Sequence, residues 1–253
     1  MSRLVSVLVA AFAVVGCSRD PLETMKPRQT LEAGVALWQA GKLPEAERYL
    51  DAALQKGRRA ELDPVTMRHY SDRVFQFHAM QGRVADAERV FKGTQASEAA
   101  FYINVKAANN MAVLYARAGR MAEAKGAIEG AYYTLRQTLM ALDPRPMSAV
   151  VLANLVRMSR AVGDDWAHHY QQELVDVVKD IGRFQQSAFQ PLAPGLKEAT
   201  DRQSVYLRSI GWKAEAAALD ASVAEIEART PSKPGAPCVA YGDPAPIGCV
   251  LAF

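Results

Sequence analysis

The chain has 253 residues, a formal net charge of +3 at pH 7 and a hydrophobic fraction of 50%. That length is enough for one elongated domain or two small ones. The densest basic cluster, QKGRRAEL at residues 55–62, is short and typical of a solvated helix end, so we exclude nucleic acid as a partner.

The chain begins with an apolar run that ends at a cysteine. The run covers residues 4–15, which is 12 residues, whereas a helix needs roughly 20 to cross a bilayer. Arg3 precedes it and small residues lead into Cys17. A positive charge, a short apolar region and small residues before a cleavage point are the parts of a secretory signal peptide. The alternatives are a signal peptide cut elsewhere, or an N-terminal helix with a chance cysteine.

The residues Val14-Val15-Gly16-Cys17 resemble a bacterial lipobox. The resemblance implies that residues 1–16 are a lipoprotein signal peptide, that Cys17 carries the lipid and that residues 17–29 form a lipid-anchored tether. Val14 departs from the family, which more often has Leu there. Ser18 after the cysteine implies, by the same resemblance, the outer membrane, and we expect the protein to face the periplasm.

Three later stretches align without gaps, and each predicts two helices joined by a glycine. They are LWQAGKLPEAERYLDAAL, FHAMQGRVADAERVFKGT and LYARAGRMAEAKGAIEGA. In each, a small Ala comes five positions after the glycine, and a large apolar residue comes four positions further on. Glycine ends a helix well because it adopts the left-handed conformation, and the small Ala lets the second helix pack closely. The turns are predicted at Gly41, Gly82 and Gly119.

This pattern resembles the tetratricopeptide repeat, a helix-turn-helix unit of about 34 residues. The turn glycines are 41 and 37 residues apart, which is longer than the standard unit, and the first copy lacks the family's Pro after its second helix. The third copy, NNMAVLYARAGRMAEAKGAIEGA, is similar to the longer repeats of kinesin-light-chain-type proteins, which have paired Asn before the apolar stripe. The alternative is unrelated antiparallel helices with glycines by chance.

Two divergent copies follow, with turns at Gly163 and Gly211, and spacings of 44 and 48 residues that imply longer helices or inserted loops. The resemblance therefore implies an all-α, right-handed solenoid of helical hairpins over residues 30–229. Its last helix, roughly residues 212–229, is expected to serve as the terminal cap that a solenoid needs.

The stretch FYINVKAANNMAV carries polar residues at helical spacing before the third turn. The predicted partner-binding groove consists of five residues: Lys106, Asn109, Asn110, Val113 and Arg117. Similar repeats line a concave groove with their first helices and use Asn there to hold a peptide backbone. An amide side chain both donates and accepts hydrogen bonds, which suits an extended main chain. The alternative is that one Asn caps or hydrogen-bonds a neighbouring helix.

The sequence contains no nucleophile elbow, phosphate loop, HExxH or dinucleotide fingerprint. The best polar constellation is GDDWAHHYQQE, where Asp164 and His168 are four residues apart and could hold a metal ion together with His169. Adjacent His side chains, however, point about 100 degrees apart on a helix. We therefore favour a structural interpretation, in which the Asp caps the helix and the His and Trp side chains pack between repeats.

Residues 230–253 contain five Pro and three Gly, so they are predicted to be an irregular tail rather than a helix. Lipidation of Cys17 leaves Cys238 and Cys249, and a disulfide between them suits an oxidising periplasm; the alternative is two free thiols. The apolar end, CVLAF, either docks on the solenoid or is a peptide that binds a partner, and we favour docking.

The sequence as a whole predicts a non-catalytic, lipid-anchored adaptor that binds envelope proteins or peptides in the groove of the solenoid. Relatives that it resembles serve in the assembly of pili, secretion machines or outer-membrane complexes. No cofactor is expected apart from the lipid on Cys17. The alternatives are an enzyme or a metal- or ligand-binding periplasmic protein that uses Asp164, His168 and His169, and a spacer whose C-terminal segment plugs into a partner.

Overall fold

The structure is a computed structural model that describes residues 20–93, 101–137, 145–188, 196–228, 238–240 and 249–253. The signal peptide at residues 1–16 and the lipidation site at Cys17 lie outside these residues. Both therefore stay predictions.

Helices make up most of this part of the chain. In order they are α1 Pro21–Thr24, α2 Pro27–Gln39, α3 Leu43–Arg59, α4 Pro64–Met80, α5 Val84–Lys92, α6 Phe101–Arg117, α7 Met121–Gln137, α8 Arg145–Ala161, α9 Ala167–Ala188, α10 Leu196–Ser209 and α11 Lys213–Glu227. From α2 onward the helices pair as five hairpins. The first helices α4, α6, α8 and α10 pack in sequence beside one another, and α9 packs against α11. The predicted all-α solenoid of helical hairpins is confirmed.

All five predicted turn glycines have a positive φ, between 68° and 87°. At Gly119 two successive hydrogen bonds reverse the chain, since the N–H of Gly119 donates to the carbonyl of Ala116 at 3.0 Å and that of Arg120 donates to the carbonyl of Tyr115 at 2.9 Å. This pair of bonds satisfies carbonyls at the helix end that have no partner within the helix. The glycines therefore set where each hairpin turns.

A small Ala that follows the turn is buried in each hairpin. Four of these residues have no solvent exposure: Ala46, Ala87, Ala124 and Ala216. In the fourth hairpin the alignment places His168 at this position, but Ala167 occupies it, with 2% exposure, and the His168 side chain is 62% exposed. Here the packing of the second helix starts one residue earlier than the spacing predicts.

Part of the segment predicted to be a tether is ordered on the solenoid. Leu22 of α1 is buried, and the Lys56 ammonium of α3 donates to the carbonyls of Leu22 and Met25, the latter at 2.6 Å. The first helix of the repeats begins at Pro27, three residues before the predicted boundary at residue 30. The ordered body therefore extends closer to Cys17 than the sequence pattern indicates.

The described residues of the tail, 238–240 and 249–253, pack on the solenoid. The two short strands of the tail, β1 Val239–Ala240 and β2 Cys249–Val250, pair antiparallel, and the predicted disulfide joins Cys238 to Cys249 with their Cα atoms 5.3 Å apart. Strand β1 contacts α8 and strand β2 contacts α6. Of the residues described, no helix is long and apolar enough to cross a membrane.

A matched pair of glycines tests the turn geometry. Gly119→Ala should lower the free energy of unfolding by about 1–2 kcal/mol, because the left-handed conformation strains any residue with a Cβ. A Cβ at either Gly119 or Gly126 of α7 meets no atom within 4 Å, so crowding does not contribute at either position. Gly126→Ala should instead raise the free energy of unfolding by about 0.5–1 kcal/mol, because Ala favours a helix interior. Denaturant unfolding of both variants measures this, and equal effects of the same sign would contradict the account.

Candidate functional site

One face of the solenoid carries a row of buried amide side chains. They project from successive first helices, and they are Gln76 on α4, Asn109 and Asn110 on α6, and Asn154 on α8. None is more than 1% exposed. Buried amides need hydrogen-bond partners, since an unsatisfied one costs about 1–3 kcal/mol. We call this row the amide ladder.

The amide ladder is continuous from helix to helix. The side-chain nitrogen of Asn154 donates to Asn109 at 2.8 Å, that of Asn109 to Asn110 at 3.1 Å, and that of Asn110 to Gln76 at 2.8 Å. Each bond joins a side-chain nitrogen to the side-chain oxygen of the next amide. The bonds therefore fix which way each amide faces, and the remaining donors and acceptors all point the same way, toward the groove.

The main chain of the tail meets the first half of the ladder at Cys249 and Leu251. The carbonyl of Cys249 accepts from Gln76 at 3.0 Å and from Asn110 at 2.8 Å. The N–H of Leu251 donates to the side-chain oxygen of Asn110 at 2.8 Å. Asn110 thus donates to one residue of the tail and accepts from the next but one.

The second half of the ladder repeats this pattern two residues further along the tail. The carbonyl of Leu251 accepts from Asn109 at 2.9 Å and from Asn154 at 2.8 Å. The N–H of Phe253 donates to the side-chain oxygen of Asn154 at 2.7 Å. Alternate residues of an extended chain present their main-chain groups to the same side, so a row of amides with this spacing recognises an extended segment through its backbone.

Two arginines complete the contacts with the end of this segment. Arg117 donates to the carbonyl of Ala252 at 3.2 Å, and Arg157 donates to the main-chain oxygen of Phe253. Arg157 is itself oriented by Gln203 at 2.8 Å, and its guanidinium lies 4.9 Å from the ring centroid of Tyr206. Burial lowers the pKa of Arg157, although an arginine stays charged in proteins. The groove is therefore cationic where the end of this segment meets α6 and α8.

The structure divides the predicted groove residues between two roles. Asn109, Asn110 and Arg117 contact the tail. Lys106 forms a buried ion pair with Asp72 of α4 at 2.9 Å, and Val113 is fully buried in the core. Both Asn residues also bond to a neighbouring helix, so the structural role weighed from the sequence coexists with the peptide contact.

Sequence reasoning missed three residues that contact the tail: Gln76, Asn154 and Arg157. A signal for one of them was present, because Asn154 lies nine positions before its turn glycine, as Asn110 does. Gln76 and Arg157 both lie six positions before their turn glycines, but the same position in the third copy is Val113, which is buried in the core. Their role follows only once the path of the tail is known.

The structure gives Asp164, His168 and His169, the alternative metal or catalytic site, separate packing partners. Asp164 accepts from the N–H of Trp166 at 3.1 Å and pairs with Lys125 at 3.1 Å. His168 stacks on Trp212 with a ring separation of 3.7 Å, and His169 packs edge-on against Trp166 at 5.2 Å. No three His, Cys, Asp or Glu side chains are grouped to hold a metal ion anywhere in the described part of the chain.

Asp164 and His169 instead line a separate cleft of about 550 Å³, between α7 and α9. Its walls include Tyr132 and Tyr170, whose rings pack edge-to-face at 5.3 Å, and burial raises the pKa of Tyr170 to about 12. The cleft is built by second helices, whereas the amide ladder is built by first helices.

The solved structures that resemble this fold include two of TPR-like repeats. Both are crystal structures of nearly identical TPR-like (tetratricopeptide-like) repeats of a kinesin light chain-like protein from Podosopora anserina, and one of them carries a single substitution. The substituted form aligns with a TM-score of 0.53 at 16% identity, over 81% of this chain and 98% of its own. The other aligns with a TM-score of 0.52 at 16% identity, over 83% of this chain and 100% of its own.

No family model and no curated protein matches the sequence. At 16% identity the structural likeness establishes the fold, which is that of TPR-like repeats.

Removal of one ladder residue should show how much the tail contacts stabilise the protein. Asn110→Ala deletes the donors to Cys249 and Gln76 and the acceptor for Leu251, and it should lower the free energy of unfolding by about 2–4 kcal/mol, because buried groups lose their partners. Gln172→Ala is the control, since this exposed residue makes one long bond of 3.4 Å, and it should change the free energy by less than about 0.5 kcal/mol. Similar values for the two variants, measured by denaturant unfolding, would contradict the assignment.

Proposed function

We propose that the protein is a non-catalytic interaction scaffold whose groove binds an extended segment of a partner protein through its main chain. The observation that carries the proposal is the amide ladder, which bonds the backbone of Cys249, Leu251 and Phe253. A row of donors and acceptors spaced for alternate residues fits any extended segment. The TPR-like fold, typical of proteins that bind other proteins, supports the same function.

Backbone recognition and side-chain recognition contribute differently in such a groove. Hydrogen bonds to the main chain provide affinity with little dependence on sequence, while the pockets that receive the side chains select the segment. In this protein the side chains of Val250 and Leu251 are 0% and 5% exposed. The amide ladder therefore accepts segments of many sequences, whereas the two buried positions select segments that have apolar side chains there.

We also propose that the scaffold works at a bacterial envelope, held by a lipid on Cys17 at the periplasmic face of the outer membrane. The sequence Val14-Val15-Gly16-Cys17 and the short apolar run before it support this proposal. The disulfide between Cys238 and Cys249 also fits, because disulfides persist in oxidising compartments. The partners would then be envelope proteins, such as components of a pilus, a secretion machine or an outer-membrane complex.

Site-specific photo-crosslinking in cells tests the groove. A photoreactive amino acid replaces Arg117, which contacts Ala252, or Arg202, an exposed residue of α10 within electrostatic reach of Arg117 and Arg157, or Tyr133, which is 55% exposed on α7. We expect both groove positions to capture the same partner, at sites a few residues apart in a single segment, because the ladder holds that segment extended. The Tyr133 position should not capture that segment. Capture of the partner from Tyr133 and from neither groove position would refute the function.

Metabolic labelling with an alkyne analogue of palmitate in a bacterial host tests the anchor. The full chain should take up the label and sediment with membranes, whereas Cys17→Ser should lose both properties because the acceptor thiol is gone. Cys238→Ser is the control, since it removes another cysteine and should leave the label in place. Retention of the label by Cys17→Ser would contradict the proposed lipidation.

A further inference from the structure

We propose that residues 249–253 are a resident competitor in the groove, and that the partner is an extended segment with apolar side chains at the positions of Val250 and Leu251. This inference rests on the proposed function, and it adds the chemistry of the partner and the control of its binding. We call residues 249–253 the resident segment.

The resident segment and a partner cannot share the ladder. An amide nitrogen has two hydrogens, and Asn110 uses one for Gln76 and the other for Cys249. Asn109 and Asn154 likewise each use one hydrogen along the ladder and the other for Leu251. While the resident segment is bound, these three amides have no donor left for a second backbone, so binding is exclusive.

The buried side chains of the resident segment define what can replace it. Val250 and Leu251 belong to the hydrophobic core of the solenoid, whereas Ala252 and Phe253 are only partly buried. A charged side chain in place of Leu251 would be buried away from water and without a partner, which is strongly unfavourable. A partner therefore needs apolar residues at these two positions, and the following positions are more permissive.

The disulfide gives the resident segment its advantage over a partner. Cys238 and Val239 lie next to α8 through β1, and both the disulfide and the β1–β2 pairing connect them to Cys249. A tethered segment acts at an effective concentration that reaches the millimolar range for short links. Cys249 is 0% and Cys238 4% exposed, so the disulfide works as a buried clamp. The resident segment must leave the groove before a reductant reaches it.

The test opens the tether in two separate ways. A specific protease site is placed within residues 241–248 of the full chain, so that after cleavage the disulfide is the one covalent link between the resident segment and the rest of the chain. Dithiothreitol then reduces the disulfide to two thiols, becoming a cyclic disulfide itself, and gel filtration removes the released segment. The probe is a fluorescein-labelled peptide with the sequence of residues 246–253 carrying Cys249→Ser, and fluorescence anisotropy measures its binding.

We expect the cleaved and reduced chain to bind the probe at least about 10-fold more tightly than the intact chain or the cleaved, oxidised chain, because only that form has lost its tethered competitor. A probe that also carries Leu251→Asp should bind at least about 10-fold more weakly, while one with Ala252→Ser should bind as the original does. Circular dichroism checks that every form keeps its helices, and excess unlabelled peptide should displace the probe.

The possible outcomes separate the two proposals. Equal and tight binding by all forms would overturn the competition and leave the groove function in place. No binding by the cleaved and reduced chain, with its helices intact, would overturn both proposals. Equal binding of the original and the Leu251→Asp probes would overturn the apolar requirement.

Discussion

The constraint on which this structure depends is that a buried amide must find hydrogen-bond partners. Four amides with at most 1% exposure stand in a row on one face of the solenoid. They satisfy one another only in part, and the main chain of residues 249–253 supplies the remaining partners. The extended chain has the same requirement, since its own carbonyl and N–H groups are withdrawn from water in the groove. Each side of the contact therefore needs the other, and their hydrogen bonds hold residues 249–253 on the solenoid by the main chain.

The repeat architecture is what places the amides at this spacing. Each glycine turn ends a first helix at a defined residue, and a fully buried Ala sets the distance to the second helix. Successive first helices then present their amide side chains to one face of the solenoid. The outer face, built by second helices, has a different character: the cleft between α7 and α9 is lined by aromatic and charged side chains. The amide ladder and the aromatic cleft thus lie on different helices: the ladder is on the first helices of the hairpins, and the cleft is on the second helices.

Much of the fold could be predicted from the sequence, because its determinants are local. The glycines Gly41, Gly82 and Gly119 recur with their buried Ala residues, and a turn glycine needs no distant partner to adopt a positive φ. The fourth hairpin was predicted one residue out of register, since Ala167 rather than His168 fills the small position. Only the packed structure shows which of two neighbouring residues faces the first helix.

The candidate site could be predicted only in part, because its other half comes from far away in the sequence. Asn109 and Asn110 could be predicted because the pair resembles that of known repeats. Gln76 and Arg157 could not, because each bonds to a distant residue: Gln76 to Cys249, 173 residues away, and Arg157 to Phe253, 96 residues away. No periodicity within α4 or α8 reports such a contact. The expectation that the apolar end docks on the solenoid, where the alternative was a peptide that binds a partner, agrees with the burial of Val250 and Leu251, since docking removes apolar surface from water.

Amide hydrogen exchange of the intact, oxidised chain, resolved by NMR, tests the central claim most directly. The account predicts that the N–H groups of Leu251 and Phe253 exchange at least about 100-fold more slowly than in a free peptide, because both donate to buried amides. It also predicts that Asn110→Ala accelerates Leu251 most and Asn154→Ala accelerates Phe253 most. Exchange of both groups at the rate of a free peptide would contradict the claim that the groove holds this segment by its backbone.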